Sequence, residues 1–229
     1  ERLSTFCPTH AVSDAEAIRE YYRERYGCDT TFISYGAEQG KLETAAVLEE
    51  LGLERERYFL YVSRWEPENN ALLVRESFER VETPMRLALI GDAPYAPDYI
   101  ARVRDTSDGR IVMPGYVFGQ GYKELGSHCF AYIHATEVGG THPALIEAMG
   151  RGALVLYLDT VENREVAGGC GLPFTHETLA DVMRRALTLP AAEREEYQQA
   201  ARDRVQERYS WDAITTQYEA LFARLRGKS

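Results

Sequence analysis

Short apolar runs alternate with amphipathic stretches through the middle of this chain. Runs of four or five mostly apolar residues have the length expected of strands buried on both faces. They lie at residues 58–62, 86–90, 110–113, 130–133 and 154–158. Strands that alternate with helices at this spacing favour a parallel sheet with right-handed crossovers. The sequence therefore predicts an α/β fold, a Rossmann-like parallel sheet with helices on both faces.

The intervening stretches have helical periodicity. Residues 70–81 and 97–105 each place their apolar side chains on one side. Towards the carboxyl terminus, residues 179–187 carry a similar apolar stripe, and 192–209 is a mostly charged stretch with Val205 and Tyr209 as its contacts. We predict that the chain closes with helices.

The closing helix has its own start signal. Ser210 is a predicted helix cap, and the apolar stripe that follows runs from Trp211 to Leu225. At the other end of the chain, Ser13 is predicted to cap a helix that ends near Gly27, and 33–38 is predicted to be a short strand. Since the chain has no initiating methionine, we expect a processed or truncated protein.

Composition restricts the class of protein. The chain has 229 residues, 45% hydrophobic and 27% charged, which suits one large or two small globular domains. Its apolar runs are far shorter than the roughly 20 residues that span a bilayer, and it does not begin like a signal peptide. We expect a soluble intracellular protein.

Cysteine usage and charge exclude further classes. The cysteines are scattered, which favours reduced thiols over a zinc site or a redox dithiol: Cys7, Cys28, Cys129 and Cys170. The formal charge of −10 argues against nucleic-acid binding, which needs a basic surface. A phosphorylated small molecule is still allowed, because it needs only one local positive pocket.

Residues 134–152 contain the most informative segment. Pro143 suits the first position of a helix, while Gly139 and Gly140 allow backbone amides to approach a ligand closely. The amides and positive dipole end of a helix that starts here attract an anion. This segment alone is equally compatible with a phosphate-binding helix and with a packed amphipathic helix that leaves Glu147 in solvent.

Ligands of parallel sheets bind beyond the carboxyl ends of the strands. The loops to consider are therefore those that directly follow predicted strands: SRWEPENN at 63–70, GDAPYA at 91–96, PGYVFGQGY at 114–122 and HATEVGGTHP at 134–143.

Taken together, these loops resemble those of a known family. From about Phe32 to its end, the chain resembles the carboxy-terminal, donor-binding domain of the retaining GT-B glycosyltransferases of family 4. SRWEPENN is similar to that family's glycine-arginine loop, GDAP to its glycine-aspartate loop and PGYVFG to its base-contacting loop. GGTHPALIEAMGRGALVL resembles its glutamate helix, and YSWDAI its closing helix. The PENN and GGTHP spellings resemble a bacterial subgroup that includes rhamnosyltransferases.

The resemblance implies a division of the chain. Residues 1–36 are expected to be the remnant of an amino-terminal, acceptor-binding domain that is otherwise missing. Residues 37–209 are expected to form the nucleotide-sugar-binding domain, and 210–229 the closing helix. This chain alone would then be an incomplete catalytic unit.

The resemblance also implies a reaction. A sugar is transferred with retention from a nucleoside-diphosphate donor, for which dTDP-rhamnose is one candidate, to a polysaccharide or glycolipid acceptor of the cell surface. No cofactor, metal or nucleic acid is expected. The implied location is the cytoplasm, with a peripheral position at the inner face of the membrane as an option.

Individual roles follow from the matching positions. Arg64 is expected to be the main positive charge on the diphosphate, assisted by His142 and the amides of Gly140 and Thr141. Glu147 is expected to accept hydrogen bonds from the ribose hydroxyls. The remaining donor-binding candidates lie in the same loops, with the tyrosine and valine bordering the base: Ser63, Asn69, Gly91, Asp92, Tyr116, Val117, His134 and Gly139. Two alternatives stay open: a purely structural role for His134 and a turn-capping role for Asp92.

The chain departs from the family pattern at two positions. The first of two expected acidic residues falls on Gly139, so Glu137 is a candidate for its role; the usual lysine falls on Asn69. Two alternatives therefore stay open. The first alternative to a glycosyltransferase is a non-catalytic nucleotide-sugar-binding module. The second is a nucleotide-sugar epimerase of GT-B architecture, which the YSWDAI helix disfavours.

Overall fold

A six-stranded parallel sheet forms the centre of the molecule, and a two-stranded parallel sheet lies beside it. The computed structural model describes residues 3, 5 and 7–227. Its strands are β1 (Val12–Ser13), β2 (Thr31–Phe32), β3 (Tyr58–Val62), β4 (Arg86–Ile90), β5 (Ile111–Gly115), β6 (Ala131–His134), β7 (Leu154–Leu158) and β8 (Leu172–Phe174). The order across the large sheet is β5-β4-β3-β6-β7-β8, and every neighbouring pair is parallel. The predicted α/β fold is confirmed.

Helices cover both faces of this sheet. They are α1 (Glu16–Tyr26), α2 (Ala46–Glu50), α3 (Ala71–Glu79), α4 (Pro97–Arg104), α5 (Gly119–His128), α6 (Pro143–Gly150), α7 (Val161–Ala167), α8 (Leu179–Thr188), α9 (Ala191–Arg208) and α10 (Trp211–Arg226). A short 3-10 turn spans Pro67–Asn69. Every helix in the described part of the chain is too short or too polar to serve as a membrane span.

Alternate residues of β3 point into two separate cores. Phe59 and Tyr61 pack on one face with side chains of α3, α4 and α8. Tyr58 and Leu60 pack on the other face with side chains of α2, α5, α6 and α9. Each of these side chains is essentially fully buried, so each contributes about 1.5–3 kcal/mol of apolar burial. The two cores hold the sheet rigid beneath the loops that leave its strand ends.

The five predicted strands of the large sheet all form, within one or two residues of the predicted limits. The sequence pattern did not predict β8, because this strand has only three residues and its middle residue, Pro173, is exposed. Proline is tolerated there because β8 is an edge strand, with β7 as its one neighbour in the described sheet.

The predicted cap at Ser13 is wrong. Ser13 lies in β1, and its hydroxyl is hydrogen-bonded to Thr30 Oγ1 at 2.8 Å. The helix begins later, at Glu16, and a carboxylate from α7 caps it: Glu165 accepts hydrogen bonds from the amides of Glu16 and Ala17 at 3.0 and 3.3 Å. A distant side chain therefore satisfies helix-end amides that a local cap was expected to satisfy.

The predicted strand at 33–38 is also wrong. The strand in this region is β2, which ends at Phe32, and Ala37 forms only an isolated parallel bridge with Ser210. Ile33 turns inward and packs with Ile214 and Leu221 of α10. The segment is therefore used to dock the closing helix instead of extending a strand.

The closing helix begins as predicted. The Ser210 side chain accepts a hydrogen bond from the amide of Ala213, and α10 follows directly. Its first residue, Trp211, lies flat against Gly36. Gly36, the last residue of the predicted amino-terminal remnant, and Trp211, in the predicted closing helix, are thus packed against each other. The division into three parts stays a prediction.

We predict that Gly36→Ala destabilises the chain. A Cβ at this position would lie 2.6 Å from Trp211 Cδ2, so the closing helix would have to shift. The free energy of unfolding should fall by about 1–3 kcal/mol, the usual cost of overpacking, as measured by urea denaturation. Gly109→Ala is the control, because a Cβ there meets no atom within 4 Å. Equal stability of the two variants would contradict the described packing of α10.

Candidate functional site

The strand order creates a crevice at the carboxyl edge of the sheet. From β3 the chain crosses to β4 and β5 on one side, and then returns to β6 on the other. The loops that follow β3 and β6 consequently start next to each other and diverge. Such a switch point is where parallel α/β sheets bind ligands. Here it is formed by residues 63–70 and 135–142.

The loop after β3 is stiffened by Asn69. The side-chain amide of this buried residue donates hydrogen bonds to the backbone carbonyl of Arg64 at 2.9 Å and to the Glu66 carboxylate at 3.2 Å, and the backbone carbonyl of Asn69 accepts one from the Tyr61 hydroxyl at 2.7 Å. Asn69 was predicted to contact the donor in place of a lysine. In the structure it shapes the loop, and its amide nitrogen is already engaged.

Arg64 extends from this stiff loop into solvent. Its side chain is 69% exposed, and its guanidinium lies 3.4 Å from the Glu66 carboxylate. An ion pair this exposed stabilises little and leaves the cation available to a ligand. Ser63 precedes it at the end of β3 and is half-buried. Arg64 therefore lies in the loop that follows β3, and its predicted contact with a diphosphate stays a prediction.

Asn70 joins the two loops of the crevice. It adopts a left-handed conformation with φ 61°, and its side-chain amide donates to the Ala135 carbonyl at 2.9 Å and to Glu137 Oε1 at 2.8 Å. The amide of Glu137 in turn donates to the carbonyl of Glu68 at 2.9 Å. These bonds fix the distance between the loop that carries Arg64 and the loop that carries the glycine turn. Asn70 was not among the predicted site residues, although an asparagine is one of the few residues that tolerate this backbone conformation.

Glu137 is held from two sides. Besides Asn70, His176 contacts it, with Nε2 2.6 Å from Glu137 Oε1. The hydrogen bond from Asn70 and then that from His176 lower the pKa of Glu137. Glu137 is therefore a carboxylate at neutral pH, but much of its hydrogen-bonding capacity is already used. The prediction that it replaces the acid expected at Gly139 stays untested, and His176 was not predicted at all.

The glycine turn and helix start match the sequence analysis. Pro143 is the first residue of α6 and His142 precedes it. Gly139 has φ 142°, a conformation that other residues rarely adopt, and a Cβ there would lie 2.7 Å from His142 Cε1. The backbone of this turn therefore excludes an acidic side chain at position 139. Gly140 and Thr141 follow, both buried.

Two histidines meet behind the turn. The ring centroids of His134 and His142 are 4.7 Å apart, and His134 Nε2 is buried without a hydrogen-bond partner among the described residues. Burial lowers the pKa of His134 well below its usual range. Partial burial also lowers the pKa of His142, although Asp14 and Glu162 oppose this shift. Both rings are neutral near pH 7, so His142 contributes an N–H dipole and not a fixed positive charge.

Glu147 is half-buried and paired. Its Oε2 accepts a hydrogen bond of 2.5 Å from the Tyr122 hydroxyl. Burial and the nearby Glu147 charge raise the pKa of Tyr122, which keeps this hydroxyl protonated as the donor. The interpretation that leaves Glu147 in solvent is therefore wrong. Tyr122, which orients the carboxylate, was missed.

The loop after β4 approaches the loop after β3 closely. Gly91 has φ 138°, and a Cβ there would overlap the carbonyl oxygen of Ser63 and lie 2.9 Å from Trp65 Nε1. Asp92 accepts a hydrogen bond from the amide of Ala93 at 2.9 Å and pairs with Arg104 at 3.1 Å. The turn-capping alternative for Asp92 is confirmed, and its contact with a donor stays a prediction.

Aromatic side chains line the loop after β5. Tyr116 and Phe118 stack with ring centroids 5.5 Å apart and an interplanar angle of 20°, and both are exposed. The Tyr116 hydroxyl donates to the carbonyl of Asp92 at 2.8 Å, which ties this loop to its neighbour. Val117 between them packs against the core. The pair offers a flat apolar surface, and Phe118 was not among the predicted residues.

Within residues 3, 5 and 7–227, His, Cys, Asp and Glu side chains form no group of three or more that could hold a metal ion. The cysteines in this part of the chain are free thiols.

The neutral state of His134 predicts a pH dependence of stability. The unfolded chain binds a proton at this residue below about pH 6.5 and the folded chain does not, so stability should fall as the pH drops below that value, by up to about 1.4 kcal/mol per pH unit. His134→Gln should therefore lose less stability than the unchanged chain between pH 7.5 and 5.5 in urea denaturation. Identical dependences for the unchanged chain and His134→Gln would contradict a neutral, buried His134.

Several solved structures have a fold similar to that of this chain. HepE from Anabaena, in complex with UDP and glucose, has a TM-score of 0.86 at 16% identity, over 97% of this chain and 65% of its own. A glycosyltransferase from Rickettsia africae has a TM-score of 0.85 at 17% identity, over 96% and 64%. Sucrose-phosphate synthase from Thermosynechococcus elongatus has 0.79 at 22% identity, over 95% and 58%. The likeness confirms the predicted fold, that of the carboxy-terminal half of a GT-B protein.

The chain spans about two thirds or less of the length of these proteins. No curated protein matches it. The sequence model of the family described as Glycosyl transferases group 1 matches residues 56–189, which include β3 to β8 and the loops of the crevice. The chain belongs to the group 1 glycosyl transferases.

Proposed function

We propose that this chain binds a nucleoside-diphosphate sugar at the carboxyl edge of its sheet and is the donor-binding part of a glycosyltransferase. One observation carries the proposal. The exposed Arg64 lies on one loop of the switch point, and the glycine turn at 139–141, which precedes α6, lies on the other. Hydrogen bonds from Asn70 fix the two loops to each other. Two separate groups that favour negative charge suit a diphosphate better than they suit a neutral ligand.

The diphosphate would lie between these groups. The amides of Gly140 and Thr141 and the positive end of the α6 dipole would bind it from one side, and the guanidinium of Arg64 from the other. His142 adds a neutral N–H donor. Because the charge of the diphosphate is balanced by a cation and by fixed dipoles, the proposal needs no metal.

The nucleoside would occupy the neighbouring surface. Glu147, oriented by Tyr122, has a second carboxylate oxygen with which to accept hydrogen bonds from ribose hydroxyls. The stacked pair Tyr116 and Phe118 would border the base. A solved structure of HepE with UDP-glucose, to which this chain is similar over 97% of its length, supports a nucleotide sugar as the ligand class.

The proposed reaction is sugar transfer with retention at the anomeric carbon. Negative charge builds up on the leaving diphosphate in the transition state, and preorganised donors aimed at it lower the barrier. Arg64 and the amides of the turn would be these donors. The acceptor would be held by a part of the enzyme beyond this chain, in line with the share of the similar proteins that it covers. dTDP-rhamnose as donor and a cell-surface polysaccharide or glycolipid as acceptor rest on the subgroup resemblance alone.

A non-catalytic nucleotide-sugar-binding module is the second candidate. It is favoured by Gly139, whose backbone excludes the acidic side chain expected of active members. A transfer assay of the longer protein would separate the two candidates, since tight donor binding without any transfer would favour the module.

We predict that the chain binds at least one of UDP, dTDP, GDP and ADP in isothermal titration calorimetry. Arg64→Ala and Glu147→Gln should each weaken this affinity by about 1–3 kcal/mol, the usual loss when a hydrogen bond to a charged group is removed.

The chain offers matched controls for both variants. Arg57 precedes β3 at the opposite edge of the sheet, and Glu196 is exposed on α9, so Arg57→Ala and Glu196→Gln should bind like the unchanged chain. Absence of binding to every nucleotide by a folded chain would overturn the proposal. Unchanged affinity of one site variant would remove that residue from the site.

A further inference from the structure

A carboxylate from the amino-terminal part of the chain lies against the glycine turn. Asp14 follows β1, and a Cβ on Gly140 would lie 2.7 Å from Asp14 Cγ, so a side chain at position 140 would displace the Asp14 carboxylate. The hydroxyl of the buried Thr141 donates a hydrogen bond to the carbonyl oxygen of Asp14. Residues separated by most of the chain are therefore in direct contact at the crevice.

Asp14 is fixed in this position from its other side as well. Glu165 accepts hydrogen bonds from the amides of Glu16 and Ala17, which attaches the start of α1 to α7. Because Glu165 caps this helix and its N-cap residue is Ala15, the Asp14 carboxylate is not needed for capping. Thr141 and Glu165 thus position Asp14 without using its carboxylate.

The Asp14 carboxylate differs from those of Glu137 and Glu147 in its hydrogen bonding. Glu137 is bonded to Asn70 and His176, and Glu147 is bonded to Tyr122. Asp14 Oδ1 and Oδ2 form no hydrogen bond and no ion pair with any of residues 3, 5 and 7–227, although the charge of the carboxylate acts on the nearby His142 and opposes the lowering of its pKa. A half-buried carboxylate gains stability from hydrogen-bond donors, so Asp14 has capacity for donors that a ligand brings.

We infer that Asp14 accepts hydrogen bonds from hydroxyls of the sugar that is attached to the diphosphate. This inference rests on the proposed function. A phosphate directly beside Asp14 would be repelled, whereas the amides of the adjacent turn attract one. A ligand with a phosphate and neighbouring hydroxyl donors satisfies both groups, and a sugar bonded to a diphosphate has this arrangement. Buried His134 Nε2, which has no partner in the described part of the chain, is a further polar group behind the turn.

The sugar would then be recognised by two parts of the chain together. The turn at 139–141 would bind the phosphate end, and Asp14 would select the hydroxyl pattern of the ring. Asp14 would act in donor specificity, whereas Glu165 is a positioning residue that acts through the start of α1.

The test compares nucleotides with and without a sugar. For the nucleoside diphosphate that binds the unchanged chain best, calorimetry measures its affinity and that of its glucose, galactose, N-acetylglucosamine and rhamnose conjugates. In Asp14→Asn we expect the affinity for the diphosphate to be unchanged or higher, because repulsion is removed. The affinity for the best sugar conjugate should fall about tenfold or more, since a charged acceptor is lost. Glu165→Gln should reduce the same difference between conjugate and diphosphate to a smaller extent.

Controls make the outcomes distinct. Asp29→Asn, an exposed acid after α1, should change neither affinity, and thermal unfolding should show that each variant is folded. Equal weakening of the diphosphate and its conjugates in Asp14→Asn, or no weakening of any conjugate, would overturn the inference and leave the proposed function intact. A folded unchanged chain that binds no nucleoside diphosphate would instead overturn the proposed function itself.

Discussion

Parallel pairing of β3 with both β4 and β6 is the constraint on which the site depends. It brings the loops at 63–70 and 135–142 to the same edge and starts them side by side. Asn70 then bonds one loop to the other, so the position of Arg64 relative to the glycine turn is set by backbone geometry and one side-chain amide. Reversal of either strand would move its loop to the far edge and separate the two groups.

Fixed dipoles and one exposed cation account for the electrostatics of this edge. Of the two neutral histidines behind the turn, His134 is buried and His142 is partly buried, so the helix start and Arg64 supply the attraction for an anion in a chain whose formal charge is −10. Carboxylates surround these groups, but Glu137 and Glu147 are each oriented by a neutral or weakly basic donor. Such an arrangement favours a ligand that combines negative charge with hydroxyl groups.

The hydrophobic pattern predicted the sheet because buried parallel strands are nearly continuous apolar runs. The pattern did not predict β8, because this strand is short and contains Pro173. The loops of the site were predictable as well, since strand topology decides which loops share an edge. Their side-chain partners were not: Tyr122 and Glu147 are 25 residues apart, and Asp14 and Thr141 are 127 apart. Ser13 failed as a cap for the same reason, because Glu165, which caps the helix, is distant in sequence.

Binding of a nucleoside diphosphate at the carboxyl edge of the sheet can be measured residue by residue. The measurement follows the amide chemical shifts of the ¹⁵N-labelled chain while UDP and dTDP are added separately. If this edge is the binding site, we expect the amides that shift to lie in the loops at 63–70, 91–92, 116–118 and 137–142 and at Glu147. Shifts confined to the opposite edge, around Arg57 and Gly109, or no shifts with either nucleotide, would contradict it.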